Sequence, residues 1–169
     1  MTATTESLRA AFDGAFALPP RSIDSDIEAF LAIRVGERPY AVSILELSGI
    51  VVDRQVTSVP SSNPALLGLS SARGQALGVF DLATMLGESR RAEAPRWLAL
   101  SAGAEPLGFA FAQLEGYLRV RSSELAPIAR TEGDLIGRVV RIGSEHRPVI
   151  QIKAAVALVR GVEDQDGER

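Results

Sequence analysis

A chain of 169 residues with 46% hydrophobic and 23% charged residues can bury a core as one ordinary domain. It has no cysteine and one histidine, His146, which excludes disulfides, thiolate metal sites, cysteine nucleophiles and any metal site needing two histidines. A net charge of −3 and 5% aromatic residues argue against a nucleic-acid binder that works by bulk electrostatics or base stacking. No apolar run approaches the roughly 18 residues of a membrane-spanning helix, so direct membrane insertion is not expected. Met1 to Gly14 lacks the basic start and apolar stretch of a secretory signal, so the expected location is cytoplasmic.

Residues 1–28 read as an N-terminal extension and linker. Ser7 can cap a short helix over Leu8–Phe16, with Leu8, Phe12 and Phe16 four apart on one face. Pro19-Pro20 ends it. From Phe30 the chain is mostly strands. Leu31, Ile33 and Val35 alternate, Gly36 to Pro39 turns, and Tyr40, Val42 and Ile44 share a face of a second strand. Ile50–Val52 and Val56–Val59 are short extended pieces before the loop Pro60 to Pro64. Leu66–Ala72 and Gln75–Phe80 form a hairpin about Arg73-Gly74, and Asp81 caps a short helix that Gly87 closes. After a charged loop at 88–95, strands resume at Trp97–Leu100, Leu107–Phe111 and Tyr117–Arg121. Residues 162–169 are polar and are expected to be a disordered tail.

The last segment repeats an earlier one. Leu66-Leu67-Gly68, Gly74, Leu77–Phe80 and a helix are matched by Leu135-Ile136-Gly137, Gly143, Val149–Ile152 and the helix Lys153–Leu158, at an offset of 69 with one extra turn residue. The expected architecture is therefore all-β, two related small units, barrels rather than one flat sheet.

Motifs for chemistry are missing. The chain has no dinucleotide or kinase glycine fingerprint, no phosphate loop and no G-x-S-x-G elbow. His146 lies in an expected hairpin turn, where solvation is the ordinary state of a histidine. No catalytic residue, cofactor or metal site is assigned.

The stretch from Val59 to Gly87 resembles the central signature of CheW-like domains, carried by Pro60, Gly68, Leu69, Arg73, Gly74, Val79, Phe80, Asp81 and Leu82. Upstream, Ile44-Leu45-Glu46-Leu47-Ser48-Gly49-Ile50 fits the family's Ile-x-x-Val-x-Glu-Ile piece by spacing. The resemblance covers about residues 28–160. It implies two five-stranded SH3-like β-barrels sharing a core, here a domain over 29–161. It also implies a non-enzymatic adaptor of bacterial chemosensory arrays, which couples the regulatory domain of a CheA-type histidine kinase to the cytoplasmic tip of chemoreceptors. The chain departs from the family pattern at Gly49, Ser71, Ala72, Gly78 and Lys153, the last standing where the second unit's helix cap is expected.

The resemblance implies a partner-binding set of Ile44, Leu47, Gly68, Ala72, Arg73 and Gly74. From residue type alone, Arg73 is either a guanidinium fork for a partner or an internal ion pair holding its turn. Gly68 serves a close partner approach or a strand bend. Ile44 and Leu47 are core or groove lining. Leu8, Phe12 and Phe16 pack on the protein's own barrel or on a partner. Two alternatives to the two-sided adaptor are a diverged member that keeps one interface and a ligand-binding β-barrel. A deep pocket with convergent polar groups favours the last; shallow apolar grooves favour an adaptor.

Overall fold

The computed structural model describes residues 26–89, 95–129 and 134–166. Leu8, Phe12 and Phe16 lie outside them. The elements run β1 (Ile27–Val35), β2 (Arg38–Ser43), a 3-10 turn (Ile44–Glu46), β3 (Leu47–Val52), β4 (Leu66–Ala72), β5 (Gln75–Asp81), α1 (Leu82–Met85) and β6 (Trp97–Ser101). They continue with β7 (Gly108–Phe111), β8 (Gln113–Arg121), a second 3-10 turn (Ser122–Glu124), β9 (Leu125–Pro127), β10 (Ile136–Ile142), β11 (Glu145–Ile150) and α2 (Ile152–Asp166). Two sheets result, in the orders β8-β1-β2-β11-β10-β9 and β3-β6-β7-β5-β4. This is the expected all-β, two-unit architecture.

The pairing registers show the duplication directly. Leu66↔Phe80 and Ala72↔Gln75 in one hairpin correspond to Ile136↔Ile150 and Ile142↔Glu145 in the other, 70 residues on in every case, and both hairpins carry a bulge near their open end. Both turns therefore hold two residues, and the extra turn residue expected from the glycine spacing does not exist. Gly143 stands where Arg73 stands, not where Gly74 does. The antiparallel hairpin β1–β2 likewise corresponds to β6–β7, each joined by a parallel pairing to the last strand of a repeat, β11 or β5. Edge strands β8 and β3 correspond too, both bulged at one residue, Glu115 and Ser48. The sixth strand, β9, has as its counterpart only the bridge Thr57↔Leu69, so Val56–Val59 is one bridge rather than a strand.

The repeats are thus β1 to α1 and β6 to α2, and each gives its first hairpin to the other's sheet. The reason is apolar surface. Phe30, Ala41, Val120, Val140 and Val149 fill one barrel; Leu77, Val79, Leu98, Leu100 and Ala110 fill the other. The opposite faces of the exchanged strands carry a third cluster, with Ile33, Val42, Phe80, Phe109, Ile150 and Ile152 buried where the barrels meet. Each such side chain contributes about 1.5–3 kcal/mol when fully buried.

Helix ends follow the same logic. Asp81 accepts hydrogen bonds from the Ala83 amide and the Thr84 hydroxyl, capping α1. The residue just before α2 is Gln151, not Lys153 as expected. Lys153 lies in the first turn, and its amide donates to Glu46 Oε2 at 3.0 Å, so a carboxylate from the other repeat supplies the missing cap. Ile152, Ala155 and Val159 bury one face of α2. The helix runs through Asp166, beyond the expected start of a disordered tail, because no proline interrupts it and its polar residues have only a small helix penalty.

A chain cut within residues 89–95 after folding is expected to stay one particle. A protease site inserted there and cleaved should give two fragments that co-elute on size-exclusion chromatography and separate only in denaturant. Separation under native conditions would contradict the exchanged topology.

Candidate partner-binding site

The β4–β5 hairpin turns through Arg73 (φ 53°) and Gly74 (φ 79°). Two positive φ values are the pattern of a type I′ turn, which suits the right-handed twist of a hairpin and favours Asn-Gly or Gly-Gly. Arginine at the first position costs about 1 kcal/mol of backbone strain. The second repeat avoids that cost by placing Gly143 (φ 59°) at the equivalent position. The Arg73 side chain is exposed and reaches across to β3, where Nη2 donates to the Ser48 carbonyl at 2.8 Å. A Cβ added to Gly49 would lie 3.1 Å from the same nitrogen, so the guanidinium rests directly over that glycine. One Arg73 hydrogen bond occurs among the described residues, and it goes to a carbonyl rather than a carboxylate. Of five donors, the rest face solvent.

The other named residues fall into two groups. Leu47 is half-buried against the shared core, and Ile44 is half-buried in the 3-10 turn, having left the strand its spacing suggested. Gly74 is exposed. Ala72 is buried inside its barrel. Gly68 is buried as well, and the close approach it permits is by the chain itself: an added Cβ would meet the Thr57 carbonyl oxygen at 2.1 Å. Its φ of 145° adds to the need for glycine. The pattern missed Leu45, whose side chain is 81% exposed beside Ile44. A strand alternation could not reveal it, because the 3-10 turn resets which side each residue faces. The segment Ile44–Gly49 and the Arg73-Gly74 turn thus make up a strip in which the Arg73 guanidinium lies against Ser48 and Gly49.

The second barrel is latched differently at the corresponding place. Glu115, at the β8 bulge, takes Arg34 on one oxygen and Arg147 on the other, both at 2.6 Å, and Arg147 also holds Glu145 at 2.6 Å. Arg147 occupies the register position of Leu77, so an ion cluster stands where the first barrel has an apolar side chain. Burial works to raise the Glu115 carboxyl, but the hydrogen bonds from Arg147 and Arg34 outweigh it and hold the group below the usual carboxylate range. Elsewhere, burial and the hydrogen bond to Glu88 at 2.6 Å push the Tyr40 hydroxyl up to about 12.

One groove, about 470 Å³, runs between Gln75–Gly78 and Ala104–Leu107; its one ionisable side chain, Glu105, lies 3.6 Å from Arg160. A smaller one, about 200 Å³, is lined mainly by Pro64, Ala65, Met85, Leu158 and Val159. Neither gathers convergent polar groups. Among the described residues no group of three His, Asp or Glu could hold a metal ion, and no helix is long and apolar enough to cross a membrane.

Two interlocked small barrels with a shared core, and an exposed hairpin arginine lying across one edge strand, define a double β-barrel module. The family profile of the CheW-like domain matches residues 29–161, and the chain belongs to that family. It is 22% identical over 131 residues to a protein described as chemotaxis protein CheW from Helicobacter pylori, covering 76% of this chain and 79% of that one. The crystal structure of the scaffolding protein TtCheW from Thermoanaerobacter tengcongensis matches the fold with a TM-score of 0.65 at 14% identity, covering 73% of this chain and 88% of that one.

The Glu115 cluster sets a pH dependence. A carboxyl whose folded pKa lies below its unfolded value of 4.5 stabilises the fold above that value, and the contribution disappears as pH falls through the folded pKa. Glu115→Gln should cost about 2 kcal/mol at pH 7. In urea unfolding, the gap between the two proteins should close as the pH is lowered from 5 towards 3. A gap independent of pH would place the stabilisation elsewhere. Tyr40 has the opposite sign: its contribution is complete below the unfolded value of 10 and is lost as pH rises through about 12.

Proposed function

We propose that this protein is a non-enzymatic adaptor that couples the regulatory domain of a CheA-type histidine kinase to the cytoplasmic tip of a chemoreceptor, working in the cytoplasm without a cofactor. Membership of the CheW-like family supports the class. Within it, the observation that carries the reading is Arg73. A left-handed arginine stands at a turn position where the second repeat uses glycine, and its exposed guanidinium lies over Gly49, on the segment that carries the apolar Ile44, Leu45 and Leu47. Backbone strain kept at an exposed site fits a side chain held for what it binds. A guanidinium with apolar neighbours is the composition of a protein-contact hot spot. Gly49 and Gly74 add no side chain to this strip, whereas Gly68 and Ala72, implied by the family resemblance, are buried and support it from beneath. Scaffolding then follows from several modest interfaces on one rigid body, whose joint geometry holds the kinase in a responsive state.

Arg73→Ala should fold normally and weaken complex formation by roughly 2 kcal/mol. Arg73→Gly, which copies the second repeat at that turn, should keep stability within about 1 kcal/mol of the original and weaken binding equally. Calorimetric titration against a kinase regulatory domain and a receptor signalling fragment measures both. Unchanged affinity for both partners would remove Arg73 from the interface.

A further inference from the structure

We propose that the outer edge of β8 is a docking strip for an acidic segment of a partner protein, bound in extended form as an added strand of the six-stranded sheet. This surface is distinct from the Arg73 strip and belongs to the other barrel.

Among the described residues β8 ends its sheet and pairs only with β1. The Ser122 amide donates to the Asp26 carbonyl at 2.8 Å, on the β1 side. Backbone groups alternate along a strand, so Leu118 and Val120 also face β1, while Tyr117, Arg119 and Arg121 turn their amide and carbonyl groups outward. The outward amide of Arg121 is taken by Glu124 Oε2 at 2.9 Å. Those of Tyr117 and Arg119 border no strand among the described residues. An edge of this kind is a template for another extended chain.

The side chains indicate which chain. Tyr117 is 57% exposed, and Arg119 and Arg121 are exposed on the same face. Neither guanidinium has a carboxylate partner among the described residues, and the nearby acids are committed elsewhere. Glu115 holds Arg34 and Arg147, Glu28 holds Arg138 at 2.9 Å, and Glu124 holds the Arg121 amide. Two unpaired cations spaced two residues apart match acidic side chains at alternate positions of a pairing strand. The corresponding edge of the other barrel, β3, has Ile50 and Val52 at the places of Tyr117 and Arg119, and the Arg73 guanidinium occupies its Ser48 carbonyl. The cationic open edge is therefore particular to one repeat. The chain's own acidic run at Glu163–Asp166 is part of α2 and is not in extended form.

The probe is a fluorescein-labelled octapeptide of alternating threonine and glutamate, titrated into the full-length protein by fluorescence anisotropy. Saturable binding is expected, with slowed hydrogen exchange at the Tyr117 and Arg119 amides. Arg119→Glu combined with Arg121→Glu should weaken it roughly tenfold or more, since both positions are exposed and leave the core untouched. The same peptide methylated on alternate backbone nitrogens keeps its charge but cannot pair as a strand, and it should also bind at least about tenfold more weakly. Absence of binding overturns the proposal and leaves the arginines as guards against strand pairing. Binding that survives charge reversal, or that survives backbone methylation, overturns it equally.

Discussion

Neither repeat of this chain can close a barrel with its own strands. The hairpin β1–β2 pairs with β8 and β11 of the second repeat, and β6–β7 pairs with β3 and β5 of the first. Every other feature depends on that exchange. It places the second face of the exchanged strands between the barrels, where Phe80 and Phe109 meet at 6.3 Å among Ile33, Val42 and Ile150. It also brings Glu46 to the first turn of α2, so the helix of one repeat is capped by the other. Two small barrels that would each be marginal alone become one body around a shared apolar cluster.

Sharing a core frees the two barrels to differ at their seams. One seam is held from within by Glu115 between Arg34 and Arg147, which uses up its charges. The other is spanned by Arg73, which touches only a carbonyl and keeps most of its donors for solvent. The barrel latched by Glu115 has its cations committed at this seam but not at its β8 edge, where Arg119 and Arg121 have no carboxylate partner among the described residues, and at the seam of the other barrel the exposed guanidinium is that of Arg73.

Much of this was legible in the residue pattern, and the boundary is physical. Local chemistry carried furthest: the Arg73-Gly74 turn with its flanking strands, the Asp81 cap and the alternation in β1 are decided by neighbours in sequence. The duplication was visible through glycine spacing, but glycine marked different turn positions in the two repeats, so the offset was off by one. Long-range pairing was not legible. Nothing near Ile44 announces the 3-10 turn that takes the chain from one sheet to the other. The Glu115–Arg147 pair joins residues 32 apart, and the Glu46–Lys153 contact joins residues 107 apart. Gly68 shows the same limit, since its residue type left open a partner's approach or a strand bend, and the structure places Thr57 against it.

The central claim is that the exchanged hairpins weld both barrels into a single cooperative unit. Native-state hydrogen exchange on amides of β2 and β11 in one barrel, and of β5 and β7 in the other, tests it most directly. The account predicts that the slowest amides of both barrels open with the same free energy, within about 0.5 kcal/mol, equal to that of global unfolding. One barrel opening well below the other would show that the halves fold separately and would contradict it.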